Sequence, residues 1–199
     1  MSVSRPALFL DRDGVINVDK GYVSRIEDFE WVSGAAEAIA AFNARNWFVF
    51  VVTNQSGIAR NYYTEADMHT LHEWMLDELA QQGARIDRIY HCPFHEEGEN
   101  PAYRKASFDR KPNPGMLLAA MSEFPVKREQ SFLIGDKETD IAAARAARTC
   151  LERADVAADE IDYVFCVTTT GLMTPSLDAR VASRLGMRPD VRRLPLFGL

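Results

Sequence analysis

Apolar residues along this chain fall into two kinds of run. Four runs are short, continuous and rich in β-branched or aromatic residues: Ala7–Leu10, residues 47–52, 131–134 and, more weakly, 85–91. Runs of that length predict strands buried on both faces, as in parallel sheets. The stretches between them carry helical spacing instead. Residues 34–46 are Ala-rich with apolar Ala36, Ile39, Ala40 and Phe42, and Met68, Leu71, Met75, Leu76 and Leu79 recur at intervals that share one helix face. Thr64-Glu65-Ala66-Asp67, just ahead of that second set, has the form of a capping box. Asn113 and Pro114 read as N-cap and first residue of a helix over 116–123, and a further helix is predicted over 141–147. Strands alternating with helices predict an α/β fold, a doubly wound Rossmann-like parallel sheet. Residues 17–31 read as a polar loop or small hairpin leaning over the first strand's end. Residues 92–110 are a long polar loop, which in a compact domain is usually functional or disordered.

The polar clusters fall where such a sheet would gather them. Asp11 and Asp13 follow the first strand and share one side, because strand side chains alternate with period two. In open α/β sheets ligands bind in the crevice at the strands' carboxyl ends. Two close carboxylates repel unless a cation or a shared proton compensates. The pair suits a Mg²⁺ site, or one nucleophile with one acid/base. It equally suits a plain turn rich in Asp and Gly, and this stretch alone leaves both readings open. Thr53-Asn54-Gln55-Ser56-Gly57 closes the second strand, Lys111-Pro112-Asn113-Pro114-Gly115 opens a helix, and Gly135-Asp136-Lys137-Glu138-Thr139-Asp140 closes the fourth strand. Read singly, Thr53 and Asn54 are turn residues, Lys111 a solvated side chain and Asp136 a helix N-cap. Gathered on one rim, they are what an aspartyl-phosphate mechanism requires. Asp11 would attack phosphorus, and Thr53 and Lys111 would donate to the equatorial oxygens. Mg²⁺ would sit on Asp11, Asp136 and a main-chain oxygen near Asp13. Asp13 would protonate the leaving alkoxide and then deprotonate the hydrolytic water.

Composition narrows the setting. A chain of 199 residues suits one α/β domain, or one domain plus an extra piece, and 47% hydrophobic residues support a real core. The net charge of −6 argues against a nucleic-acid partner, while an anionic small molecule stays open where Lys and Arg cluster locally. Cys92, Cys150 and Cys166 make an odd count without framework spacing, so the expected compartment is the reducing cytoplasm. No apolar run is long enough for a membrane span, and no signal-like segment opens the chain. A monomer with a small-molecule partner is expected. His69 and His72 lie three apart on the second predicted helix. No third ligand stands in register with them, so packed or solvated histidines are the expectation.

Asp11-Arg12-Asp13-Gly14-Val15, Thr53-Asn54, Lys111-Pro112 and Gly135-Asp136 through Asp140 resemble the four motifs of the haloacid dehalogenase superfamily of phosphatases. Within it, residues 9–17, Gly21-Tyr22-Val23, 53–59 and 110–116 resemble the heptose-1,7-bisphosphate phosphatase family, with histidinol phosphatases as near relatives. The resemblance covers about residues 5–148. It implies Mg²⁺-dependent hydrolysis of a phosphate monoester, and in this family removal of the 7-phosphate of a heptose bisphosphate on the way to lipopolysaccharide precursors. It assigns Asp11, Asp13, Thr53 and Lys111 to catalysis, and Asp11, Asp13 (through its carbonyl) and Asp136 to the metal. It places Arg12, Asp19, Lys20, Gly21, Tyr22, Asn54, Gln55, Ser56, Arg110 and Lys137 around the substrate. A bisphosphate would suit the local cations Lys20, Arg60, Arg110, Lys111 and Lys137. The resemblance implies no large cap domain, so substrate choice would rest on loops. Histidinol phosphate is the alternative substrate, with Gly21-Tyr22 favouring the heptose.

Two departures stand out. Many relatives hold a structural Zn²⁺ by Cys-x-His and Cys-x-Cys before the Arg-Lys-Pro. The matching positions here are Cys92-Pro93-Phe94 and Ser107-Phe108-Asp109. Adjacent His95 does not complete a tetrahedral set, so no zinc is expected and Cys92 reads as a packed thiol. The loop must then be ordered by packing or by Arg104 and Lys105, or be mobile. The family pattern also stops near Cys150. We therefore divide the chain into a phosphatase domain over 1–148 and a tail over 149–199. Residues 157–180 and 188–199 of that tail resemble a fragment of type III polyketide synthases that stops short of their catalytic cysteine. The tail predicts a strand over 163–167 that could extend the sheet, and a helix over 176–185. A protein that keeps the fold but has lost catalysis through the altered tail is the alternative of a different class.

Overall fold

The computed structural model describes residues 3–137 and Thr139, and the backbone strands β5 (Tyr163–Thr168) and β6 (Arg192–Phe197). The helices predicted over 141–147 and 176–185 lie outside the described residues. The first four strands are β1 (Ala7–Leu10), β2 (Phe48–Asn54), β3 (Arg88–Cys92) and β4 (Phe132–Ile134). They form one parallel sheet in the order β3-β2-β1-β4. Three helices follow from the expected periodicity: α1 (Ala35–Ala44), α2 (Glu65–Gln81) and α3 (Gly115–Glu123).

The alternation within β2 decides where each helix packs. Val49 and Val51 turn to one face with Leu8 and Leu10, and meet Ala36 and Ile39 of α1 and Met75 and Leu79 of α2. Phe48, Phe50 and Val52 turn to the other face with Phe9, and meet Met116 and Ala120 of α3. Both sheet faces are therefore covered, which is why β1 and β2 read as unbroken apolar runs. Register then aligns the strand ends. Leu10 pairs with Val51 on one side and with Ile134 on the other. Thr53 near the end of β2, and Asp11 and Asp136 just past the ends of β1 and β4, therefore lie along a single rim.

The remaining elements depart from the expectations in small ways. β2 runs two residues further than the apolar pattern, because Thr53 and Asn54 still pair with His91 and Cys92. The capping box forms, with Thr64 Oγ1 accepting from the Asp67 N–H and Asp67 Oδ2 accepting from the Thr64 N–H. Asn113 does not cap α3. Its side chain donates to the Ser107 carbonyl, and Pro114 takes the cap position instead. Gly115 is required there, because a Cβ would overlap Asp109 and the Phe108 carbonyl. Residues 17–31 form a loop with a short 3-10 turn at Ile26–Asp28, pinned by an antiparallel bridge between Asn17 and Trp31. β5 appears where a strand is predicted. Among the described residues its ladder partner is the parallel β6, in a separate two-stranded sheet, and not the four-stranded one.

Two outcomes follow for stability. Phe50 is fully buried among Phe9, Phe48, Phe124 and Tyr90. Phe50→Ala should cost about 3–5 kcal/mol, read as a lower urea midpoint with an unchanged m value. His72 of α2 is the second case. Burial first, then the Arg12 guanidinium and more weakly His91 and His69, push its imidazole from 6.5 down to about 3. Between those values the unfolded chain holds a proton that the folded chain does not. Stability is therefore intact above pH 6.5 and declines as pH falls towards 3, by up to about 1.4 kcal/mol per pH unit. His72→Gln should flatten that slope in melts recorded from pH 7 to 4, whereas parallel slopes would remove His72 as its source.

Candidate active site

The site grows from the end of β1. Asp11 is buried and its carboxylate is held from two sides. Its Oδ1 accepts the Arg12 N–H at 2.8 Å, and its Oδ2 meets Lys111 Nζ at 2.7 Å. Lys111 is also buried, so the pair sits away from bulk water, where attraction is strong and desolvation costly. Asn54, at the end of β2, fixes the lysine's backbone. Asn54 Oδ1 accepts the Lys111 N–H and Asn54 Nδ2 donates to the Lys111 carbonyl, both at 3.0 Å. Residues 57 apart in sequence are thereby clamped together.

Asp13 lies at the centre of a separate network. Arg12 Nη2 donates to both its oxygens, at 2.8 and 3.0 Å, Asn17 Nδ2 to Oδ1 at 3.1 Å and Gln55 Nε2 to Oδ2 at 3.2 Å. Gln55 Nε2 also donates to Thr53 Oγ1 at 2.8 Å, which leaves the buried threonine its own hydroxyl proton to offer. Gln55 is oriented in turn by Tyr63, whose hydroxyl donates to Gln55 Oε1 at 2.6 Å. Burial and the neighbouring Asp13 charge raise the Tyr63 hydroxyl above its usual range, with Arg12 opposing, so it stays a donor. Gly57 makes room for this arrangement, since a Cβ there would overlap the Tyr63 ring.

Asp136 reaches the same place from β4. Gly14 adopts φ +85°, and a Cβ on it would fall into the Asp136 carboxylate. The third carboxylate therefore lies against the backbone that immediately follows Asp13. Two carboxylates, Asp11 and Asp136, and the main chain around Asp13 are the kind of oxygen set Mg²⁺ takes. That ion keeps several waters and needs no complete side-chain cage. Among the described residues no group of three or more His, Cys, Asp and Glu side chains forms such a cage. The donor chemistry fits magnesium bound partly by main chain and water.

In the long loop before Lys111, Cys92 and His95 each meet other partners. Cys92 is buried with its Sγ 4.0 Å from the Phe94 carbonyl. His95 accepts the Glu97 N–H on Nδ1, and its Nε2 lies 3.5 Å from Arg60 Nη2. The loop is held by other means. Lys105 Nζ sits 4.0 Å from the Phe94 ring centroid, the Tyr103 hydroxyl donates to Glu65 at 2.8 Å, and Arg110 donates to the Phe94 carbonyl. Among the described residues Arg104 and Lys105 form no ion pair, and Lys105 contributes through the Phe94 ring.

The residues expected around a substrate separate into two groups. Arg12, Asn54 and Gln55 act from beneath. Arg12 is 0% exposed and turns wholly inward. Asp19, Lys20, Gly21, Tyr22, Ser56, Arg110 and Lys137 lie nearer the surface. Asp19 pairs with Lys137 at 2.9 Å and accepts the Gly21 N–H. Burial opposes the charge on Asp19, but Lys137 and Gly21 outweigh it and hold the carboxyl low. Lys20 pairs with Glu30. Tyr22 has φ 56° and packs edge-on to Tyr62, at 4.7 Å between centroids. Sequence reading missed Asn17 and Tyr63 at the site; His72, expected to be packed or solvated, is packed, with its ring against Arg12.

Comparison with known proteins agrees with this geometry. A family model described as HAD-hydrolase-like matches residues 108–151. A Rhodopseudomonas palustris protein named D-glycero-beta-D-manno-heptose-1,7-bisphosphate 7-phosphatase is 52% identical over 143 residues, covering 72% of this chain and 79% of that protein. An Escherichia coli K12 protein of the same name is 46% identical over 147 residues, covering 74% and 77%. The crystal structure of D,D-heptose 1,7-bisphosphate phosphatase from B. bronchiseptica, complexed with magnesium and phosphate, superposes with a TM-score of 0.68 at 27% identity, covering 95% of this chain and 92% of that one. A buried aspartate–lysine pair on a parallel sheet and this degree of identity place the chain in the haloacid dehalogenase-like hydrolases, in the family of the heptose-1,7-bisphosphate 7-phosphatases.

Proposed function

We propose that this phosphatase removes the 7-phosphate of D-glycero-D-manno-heptose 1,7-bisphosphate in the cytoplasm, through an aspartyl phosphate on Asp11. The observation that carries the reading is the Asp11–Lys111 contact at the sheet rim, beside an Asp13 whose carboxylate is fixed by Arg12, Asn17 and Gln55.

The chemistry follows from those positions. Asp11 attacks phosphorus, the new O–P bond forms and the P–O bond to the sugar breaks. Asp13 gives its proton to the departing alkoxide. Water then attacks the aspartyl phosphate while Asp13 takes its proton, the Asp11 O–P bond breaks, and inorganic phosphate leaves. Lys111 and the Thr53 hydroxyl donate to the phosphoryl oxygens as charge gathers there. Asp11, Asp136 and the Asp13 carbonyl are the residues that would hold Mg²⁺, which supplies charge neutralisation to the phosphoryl group when bound. All these residues precede the tail, and we assign the chemistry to 1–148.

A second phosphate has its own support. Burial first, then the Arg110 and Arg60 cations, disfavour a proton on His95, and burial of Arg110 together with the Arg60 cation lowers the Arg110 guanidinium. Among the described residues Arg60 Nε is buried without a hydrogen-bond partner. Two cations with spare donors, one of them next to Lys111 in sequence, suit the anomeric phosphate of a bisphosphate.

Asp11→Asn should retain the fold and lose more than about a thousandfold in turnover. Wild-type phosphate release from the heptose bisphosphate should stop with a chelator and return with Mg²⁺. Faster release from histidinol phosphate would overturn the substrate, and release that ignores the chelator would overturn the metal. Arg110→Ala should raise KM about tenfold for the bisphosphate with kcat nearly unchanged, the sign of lost uniform binding. A fall in kcat alone would move Arg110 out of the second phosphate site.

A further inference from the structure

Arg12 has a partner that the mechanism above does not use. It is fully buried, and its permanent charge must be answered inside the protein. On one side Nη2 and Nε grip Asp13, and Nη2 also reaches the Val23 carbonyl. On the other side Nη1 lies 3.1 Å from Nε2 of His72, a buried side chain on α2 and 60 residues away in sequence. The guanidinium only donates, so His72 Nε2 must accept, which requires a neutral imidazole with its hydrogen on Nδ1. Burial and the Arg12 charge both favour that neutral form. His72 also lines a pocket with His69, Glu73 and His91, so its ring stands between that space and the arginine.

We propose that His72 is a positioning residue for the reaction: it anchors the far end of the Arg12 guanidinium, so that the near end holds the Asp13 carboxylate in the direction proton transfer needs. The inference rests on Asp13 as acid/base. A guanidinium tied at both ends cannot pivot. With the histidine acceptor removed, Nη1 carries an unsatisfied buried donor, and the strain is relieved by rotating Arg12 and Asp13 together. His72 touches neither substrate nor the reacting atoms. Its loss should act on the step most dependent on Asp13 and leave binding alone.

4-Nitrophenyl phosphate separates the two halves of the reaction. In the first half the Asp11 O–P bond forms and nitrophenolate leaves without needing a proton. In the second, water attacks phosphorus, Asp13 takes the water's proton and the Asp11 O–P bond breaks. Rapid acid quench with ³²P-labelled substrate measures formation of the phospho-enzyme, and an unlabelled chase measures its decay. His72→Phe, which keeps a ring and loses the acceptor, should form phospho-enzyme at about the wild-type rate and decay about tenfold more slowly, the scale of one lost hydrogen bond in a buried network. KM should not change. His72→Gln, whose amide oxygen can accept from Arg12, should recover most of the decay rate. Should His72→Phe not fold, His72→Leu serves in its place with the same expected rates. An unchanged decay rate, equal loss in both halves, or no recovery with Gln would each overturn the proposal. Asp13→Asn run alongside tells the two failures apart. If that variant decays at the wild-type rate, the role of Asp13 is at fault; if it slows while His72→Phe does not, only the role of His72 falls.

Discussion

Two opposite charges buried side by side set the terms for this protein. Asp11 and Lys111 have both left bulk water, and each answers the other's charge there. Neither can find the other by local folding. Asp11 is delivered by the carboxyl end of β1, a central strand, and Lys111 by the approach to α3 across the sheet. Parallel register brings the strand ends to one rim, and Asn54 then ties Lys111 to the end of β2 through both its backbone groups. The apolar core around Val49, Val51 and Phe50 thus does chemical service: any slip in β1 or β2 would carry Asp11 away from its partner.

Around that pair, most polar side chains near the rim hold other side chains in place. Gln55 bridges Thr53 and Asp13, Tyr63 fixes Gln55, and Asn17 and Arg12 fix Asp13. Such a network is stiff because its members hold one another, and reactive groups gain from being held before substrate arrives. The surface layer differs. Asp19, Lys137, Lys20 and Tyr22 sit in pairs at the surface. Rigid chemistry beneath and adaptable contacts above is the division expected of a fold without a large cap. The loop between β3 and Lys111 takes an intermediate place. A cation over the Phe94 ring and the Tyr103–Glu65 hydrogen bond tie it to itself and to α2 where Cys and His ligands would otherwise be needed.

Much of this was legible without coordinates. The unbroken apolar runs, the capping box at Thr64 and the carboxylates at strand ends are local patterns, and local patterns report local structure. The order of the motifs told which residues would share the rim, because a doubly wound sheet collects its strand ends there. The start of α3 was misplaced by one residue because Asn113 found a partner in Ser107, a contact that helix-capping preferences do not anticipate.

The amino-acid order by itself determined the four-stranded sheet, the three described helices and the carboxylates at the strand ends, since each follows from spacing along a short stretch. Tertiary structure alone decided the direction of the side chains. Arg12 could have faced a ligand, and instead it turns inward to Asp13, Val23 and His72. Asn54 and Gln55 could have lined a sugar, and instead they brace Lys111 and Asp13. The physical reason is that a polar side chain goes to the best available partners, and each of these residues has one far along the chain: His72 for Arg12, Lys111 for Asn54 and Asp13 for Gln55.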